Sequence, residues 1–213
     1  MKNTLEKMIR VTASIDDGSN YDSKVVRLFK EFDVPVTYYL TVNHVDMALK
    51  KGYEPLNPYR LKKTLDYCEL GSHTINHPLL TRVSIEEAKD EIFESKRLLE
   101  SMFNRKIEKF CYPRGYSNLE IQQLVKEAGY VSARSTLVGF IDKSENPYFE
   151  QTTLHAGCNR KEYGGRNWYE YGLKMLDKAK EQEFAYYHIW LHGWELERIN
   201  GIVELRKLLK KLC

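Results

Sequence analysis

The chain has 213 residues and a formal net charge of +3 at pH 7, from 33 Lys and Arg against 30 Asp and Glu. This even balance argues against nucleic acid or an anionic membrane as the partner, and no stretch approaches the roughly 20 apolar residues of a membrane span. The hydrophobic fraction of 42% is sufficient for a sizeable core, and the length suits one domain over residues 1–213. Nothing in the sequence indicates an oligomeric state.

The thiols and the N-terminus bear on the compartment. The four cysteines form no CxxC pair and fit no zinc ribbon: Cys68, Cys111, Cys158 and Cys213. The first residues contain no apolar run long enough for a signal peptide. We therefore expect reduced thiols and a cytoplasmic location. The basic clusters at Lys50 and Lys51, at Lys62 and Lys63, and at residues 207–211 are interpreted as solvated helix faces.

Short β-rich runs alternate along the chain with helical patterns. Strands are predicted over residues 9–15, 36–42, 69–75, 109–112, 130–135, 151–155 and 184–191. Helices are predicted over residues 22–32, 84–103, 117–128, 168–181 and 201–212. This alternation predicts an α/β fold with a parallel sheet, either closed into a barrel or open. In both cases the reactive groups should follow the C-terminal ends of the strands.

Three of the predicted strand ends carry candidate reactive groups. Asp16 and Asp17 follow the first strand, and the turn at Gly18 could direct both carboxylates into one pocket, although an ordinary Asp-Gly turn is the alternative. His73 and His77 follow the third strand, four residues apart, which is a usual arrangement for gripping a metal ion; surface histidines are the alternative.

Two histidines and a carboxylate form the open three-ligand site of metal hydrolases. Imidazole nitrogen favours zinc, with cobalt, nickel or iron as alternatives, and such an ion lowers the pKa of bound water toward about 7. A second carboxylate can then act as the base, and Asp16 is available.

The last predicted strand ends in a cluster of histidines and tryptophans. His192 stands at the strand end, where a general acid could protonate a leaving nitrogen, whereas His188 fits a packed core histidine. Trp190 and Trp194 could wall a binding pocket for an acetyl group or a sugar, or simply pack in the core.

Four motifs in this order resemble those of the polysaccharide deacetylase family, the NodB-homology carbohydrate esterases. They are SIDDG at 14–18, HTINH at 73–77, CYPRG at 111–115 and WLHG at 190–193. The resemblance implies a distorted (β/α)7 barrel that uses a divalent metal to hydrolyse an N-acetyl group on an amino sugar or polysaccharide. It implies the metal ligands Asp17, His73 and His77.

The same resemblance implies roles for the remaining motif residues. Asp16 is similar to the family's catalytic base and His192 to its acid. Tyr112 and Pro113 match the wall of the substrate groove, and a backbone N–H near Tyr116 matches the donor that holds the oxyanion.

One departure concerns the arginine that orients the base in the family. Cys111 stands in its place, and the charge could come from Arg134, with Arg114 as the competing candidate. The family's Asp-x-x-Trp segment is also not clear, because Asn167 and Trp168 lack the Asp.

Two other functions therefore stay open: a hydrolase of cyclic amides or imides, and a non-catalytic carbohydrate-binding homologue. The loops at 53–59 and 157–168 are expected to lie over the site.

Overall fold

The computed structural model describes residues 8–213, and all seven predicted strands are found there. They form one sheet in the order β5-β4-β3-β2-β1-β7-β6, and every neighbouring pair is parallel. The strands are β1 Met8–Asp16, β2 Val36–Leu40, β3 Glu69–Ser72, β4 Lys109–Cys111, β5 Ser132–Arg134, β6 Leu154–Ala156 and β7 Phe184–Leu191. The predicted parallel α/β architecture is confirmed.

Eight α-helices connect or flank the strands within residues 8–213. They are α1 Asp22–Glu31, α2 His44–Lys51, α3 Pro58–Leu65, α4 Ile85–Phe103, α5 Leu119–Glu127, α6 Trp168–Lys180, α7 Gly193–Arg198 and α8 Ile202–Leu212. The five predicted helices correspond to α1, α4, α5, α6 and α8, whereas α2, α3 and α7 were not predicted. No helix in the described part of the chain is long and apolar enough to cross a membrane.

The central strands have one apolar and one polar face. Ala13 and Ile15 of β1 are buried in the hydrophobic core with Ile189 and Leu191 of β7. On the other face, the His188 ring bonds the hydroxyls of Thr12 at 2.8 Å and Ser14 at 2.9 Å, one through each nitrogen. Because strand side chains alternate, the polar face forms the interior of the curled sheet.

The two edge strands, β5 and β6, are joined by an irregular segment rather than by a direct ladder. The Glu150 N–H donates to the Ala133 carbonyl at 2.8 Å, and the Ser135 N–H donates to the Glu150 carbonyl at 2.8 Å. Farther along the segment, the Thr152 N–H donates to Leu137 O at 2.9 Å. The result is a (β/α)7 barrel with an open seam, which confirms the predicted fold class.

A buried carboxylate ties three elements together below the C-terminal ends of β1 and β2. One oxygen of Asp22 accepts from the Ser19 N–H and the Tyr38 hydroxyl, each at 2.7 Å. The other accepts from the Ser19 hydroxyl at 2.9 Å and the Gly193 N–H at 3.0 Å. A Cβ at position 193 would lie 2.1 Å from this carboxylate, so only glycine allows α7 to begin here. Asp22 thereby fixes the segment that follows β7.

The titration of Asp22 should be visible in the stability of the protein. Burial outweighs the hydrogen bonds from Tyr38 and Ser19 and raises the pKa of Asp22 to about 7, from an ordinary 3.8. The folded state then holds this proton more tightly than the unfolded state, so its contribution to stability should fall as pH rises from about 4 to about 7. We expect the difference in unfolding free energy between the wild type and Asp22→Asn to shrink over this range in urea titrations. A difference that widens with pH would contradict the expectation.

Candidate active site

Three predicted ligands converge where β1 and β3 end. Asp17 follows β1 in a left-handed conformation, with φ of 85°, and His73 directly follows β3. His77 lies in the next loop, with φ of 59°. The Nε2 atoms of both histidines lie 3.8 Å from Asp17 Oδ1, and one donor atom from each residue falls within 4.8 Å of the others. The structure thus brings these three predicted side chains together.

The chemistry of these donors fits a divalent cation. Asp17 Oδ1 is buried without a hydrogen-bond partner, which costs about 1–3 kcal/mol unless another group satisfies it. His73 Nδ1 donates to the Cys111 carbonyl at 2.7 Å, so the lone pair of Nε2 faces Asp17. Burial lowers the pKa of His73, and burial together with His73 lowers that of His77 to about 3. Two neutral imidazoles and a carboxylate are the donor set that suits zinc and similar ions.

Asp16 is held by Arg134, one of the two arginines that the sequence offered for this role. One guanidinium nitrogen of Arg134 lies 2.6 Å and 2.5 Å from the two Asp16 oxygens, and both side chains are buried. The same nitrogen lies 3.0 Å from Cys111 Sγ. Burial alone would raise the pKa of Asp16, but Arg134 and then His73 hold it below its ordinary value. Arg134 thus occupies the charge position beside Asp16, whereas Arg114 is exposed.

His192 is held between Asp17 and Glu195, and His155 contacts the same Glu195 carboxylate. His192 Nε2 lies 3.5 Å from Asp17 Oδ2, while Nδ1 lies 2.6 Å from Glu195 Oε2. The same Glu195 oxygen is 2.8 Å from His155 Nε2. Burial disfavours the charged ring, yet Asp17 and Glu195 raise the pKa of His192 to about 9. The two carboxylates thus favour the protonated ring, the form that a general acid requires.

Glu195 and His155 were missed in the sequence. Glu195 lies in α7, three residues after His192, and this i, i+3 spacing was an available signal. His155 comes from β6, far from His192 in sequence, so only the fold could reveal it.

The two residues expected to wall the substrate groove are buried. The Tyr112 hydroxyl donates a hydrogen bond to the Tyr148 carbonyl at 2.8 Å. The Tyr112 ring contacts Phe110 edge-on, with centroids 5.4 Å apart. Pro113 is also buried. Because Cys111 points into the barrel, the next side chain is directed to the opposite face. The side chain of Tyr112 therefore contributes to the core and presents no exposed wall.

The other aromatic candidates differ in exposure. Tyr116 is 61% exposed, while Trp190 is buried and stacks on His155 with centroids 3.6 Å apart. Trp194 is half-buried, with its Nε1 3.4 Å from Asp17 Oδ2, and it stacks in parallel on Tyr53 at 5.4 Å. Tyr53 belongs to the loop that was expected to cover the site.

The two loops expected over the site are shorter than predicted. Pro58 begins α3, so the first loop ends at Asn57, whose side chain caps that helix. Asn167 and Trp168 form the start of α6, with Asn167 as the N-cap.

One basic residue was misassigned to a solvated helix face. Lys51 is the last residue of α2, and its ammonium lies 2.7 Å from Asp17 Oδ2. Its neighbour Lys50 is exposed, as expected. The prediction was wrong for Lys51 because the partner, Asp17, is 34 residues away and is brought close only by the fold.

Comparison with known proteins assigns the chain to a family. The family model described as polysaccharide deacetylase matches residues 2–133, more than half of the chain. The peptidoglycan-N-acetylglucosamine deacetylase of Bacillus cereus is 30% identical over 128 residues, 59% of this chain and 54% of that protein. The chain thus spans little more than half the length of the curated relatives it matches.

Solved structures show the same fold at low identity. The Puue allantoinase superposes with a TM-score of 0.72 at 12% identity, covering 95% of this chain and 83% of that one. A wild-type CE4 family pseudoenzyme from Bacillus anthracis gives a TM-score of 0.62 at 17% identity, over 97% and 60% of the two chains. The match over residues 2–133, on a seven-stranded parallel barrel, shows that the chain belongs to the polysaccharide deacetylase family.

Proposed function

We propose that this protein is a metal-dependent deacetylase that hydrolyses an N-acetyl group on an amino sugar or polysaccharide. The observation that carries the proposal is the convergence of Asp17, His73 and His77, with Asp16 on one side and His192 on the other. The family and the curated relative from Bacillus cereus support the choice of substrate class.

A divalent cation held by Asp17, His73 and His77 would supply Lewis acidity, making water more acidic and polarising the acetyl carbonyl. Zinc suits these ligands best, with cobalt, nickel or iron as alternatives.

Asp16 would act as the base. Both of its oxygens contact one nitrogen of Arg134, so the carboxylate is ionised and fixed in orientation. It is thereby ready to accept the proton that water loses during attack on the acetyl carbon.

His192 would act as the acid. The tether from Nδ1 to Glu195 leaves Nε2 to give its proton to the departing amine. A backbone N–H near Tyr116 would hold the oxyanion. It follows a tight turn in which Arg114 and Gly115 both have positive φ, at 57° and 77°. A Cβ on Gly115 would lie 2.2 Å from the Thr136 hydroxyl, so this turn requires glycine.

The test is acetate release from a panel of N-acetylated mono- and oligosaccharides, with and without a chelator. We expect activity to disappear on chelation and to return with zinc. His77→Ala should lower metal affinity, measured by metal content and calorimetry, by more than the roughly 10–100-fold typical of outer-shell partners. Thr81→Ala, at an exposed position farther along the same segment, serves as the control.

Three outcomes would reject the proposal. Undiminished acetate release by metal-stripped protein would show that the reaction does not depend on a metal. Hydrolysis of cyclic amides or imides, with no acetate released from any sugar, would show that the enzyme cleaves a C–N bond other than that of an N-acetyl group. Protein that neither binds metal nor releases acetate would support a non-catalytic carbohydrate-binding role.

A further inference from the structure

Lys51 has no task in the mechanism above, although it reaches the centre of the site. Its side chain is 32% exposed, yet its ammonium contacts the fully buried Asp17 at 2.7 Å. It ends α2, and Gly52 follows with φ of 71°, so the chain turns sharply immediately after it. The ammonium therefore lies between solvent and the proposed metal ligands.

The two oxygens of Asp17 have different surroundings. Oδ1 faces the imidazoles of His73 and His77, whereas Oδ2 contacts Lys51 and lies 3.5 Å from His192 Nε2. Once a divalent cation is held by these ligands, its charge and that of Lys51 exceed the negative charges of Asp17 and Glu195. Asp16 and Arg134 cancel each other.

A second cation lies beside Lys51. The Arg198 guanidinium stacks over Trp194 at 4.7 Å and lies 3.4 Å from the Lys51 carbonyl. Within residues 8–213, Arg198 forms no ion pair with an acidic side chain. Trp194 in turn stacks on Tyr53. The stacked rings of Tyr53 and Trp194 are thus bordered by two cations, one of which contacts Asp17.

We propose that Lys51 selects N-acetylated sugars that carry an anionic group next to the acetamide, either a phosphate ester or a carboxylate. This inference rests on the proposed deacetylase function and narrows its substrate class. On binding, the ammonium exchanges its contact with Asp17 for one with the anionic group. The buried carboxylate keeps its other contacts, with Trp194 and His192.

The experiment compares matched substrates: N-acetylglucosamine 1-phosphate, N-acetylmuramic acid and neutral methyl N-acetylglucosaminide. We expect the wild type to prefer one or both anionic sugars by kcat/KM, and the preferred one identifies phosphate or carboxylate as the recognised group. Lys51→Gln should reduce that preference about 10–100-fold, the value of one hydrogen bond to a charged group. Lys51→Arg should retain most of it, and Lys50→Gln, the exposed neighbour, should leave it unchanged.

A binding measurement separates this proposal from the function on which it rests. Glucosamine 1-phosphate and muramic acid, the deacetylated products, should bind the wild type more tightly than Lys51→Gln in calorimetry, without any turnover. Equal slowing of neutral and anionic substrates by Lys51→Gln would place Lys51 on the reaction itself and overturn the selection role. So would a wild type that shows no preference for charge. Lysine-dependent binding of these anions without acetate release would instead reject only the deacetylase function.

Discussion

Replacement of Asp16 by Asn should lower kcat for acetate release by about 10²–10⁴-fold, the usual effect of losing a general base. The amide has nearly the shape of the carboxylate but cannot accept the proton from water. Metal binding should persist, because the proposed ligands Asp17, His73 and His77 are unchanged. The loss should therefore appear in kcat at full metal occupancy.

The measurement is steady-state acetate release with metal content determined on the same samples. Asp46→Asn, which alters an exposed carboxylate on α2, is the matched control and should keep wild-type activity. Undiminished turnover by metal-loaded Asp16→Asn would exclude Asp16 as the base.

Replacement of Arg134 by Met should destabilise the protein by about 3–5 kcal/mol, the range for breaking a buried ion pair from one side. Arg134 is 2% exposed, and its guanidinium is sandwiched between the rings of Tyr39 and Trp190, each centred 5.1 Å away. Its removal leaves the Asp16 carboxylate buried without its cation. The pKa of Asp16 should consequently rise, and the acidic limb of the pH–rate profile should move to higher pH.

A double-mutant cycle isolates this interaction. Because Asp16→Asn removes the charge that Arg134 neutralises, Arg134→Met should cost much less stability in that background. Urea unfolding of the four proteins gives the coupling energy, and Arg114→Met controls for loss of an exposed arginine. Strictly additive costs would show that Arg134 stabilises the fold through packing alone.

The sequence predicted the sheet because buried parallel strands and long amphipathic helices have clear periodicities. Two of the three missed helices lacked such signals: α2 and α7 have 8 and 6 residues and no side-chain hydrogen bond at their N-caps. The third, α3, did have a signal, since Pro58 occupies its first turn and the Asn57 side chain accepts from the Arg60 N–H.

The candidate site was predictable only for residues that lie close together in the sequence. His73 and His77 share one loop, so their spacing indicated a shared ligand role. The sequence could not decide between Arg134 and Arg114, because Arg134 and its partner Asp16 are 118 residues apart. The role of Lys51 depends likewise on tertiary contacts. The orientation of Tyr112, by contrast, followed from strand alternation after Cys111 and was overlooked.

The positive φ of Asp17 constrains how this position can diverge. Residues with branched or bulky side chains rarely adopt the left-handed conformation, whereas Gly, Asn and Asp tolerate it. Glu would therefore be disfavoured by the backbone as well as by its longer reach. The replacements that preserve the turn, Asn and Gly, both abolish the negative charge. A homologue could thus lose the proposed activity by one substitution at this position and keep the fold. The fold alone would then not distinguish an active homologue from an inactive one.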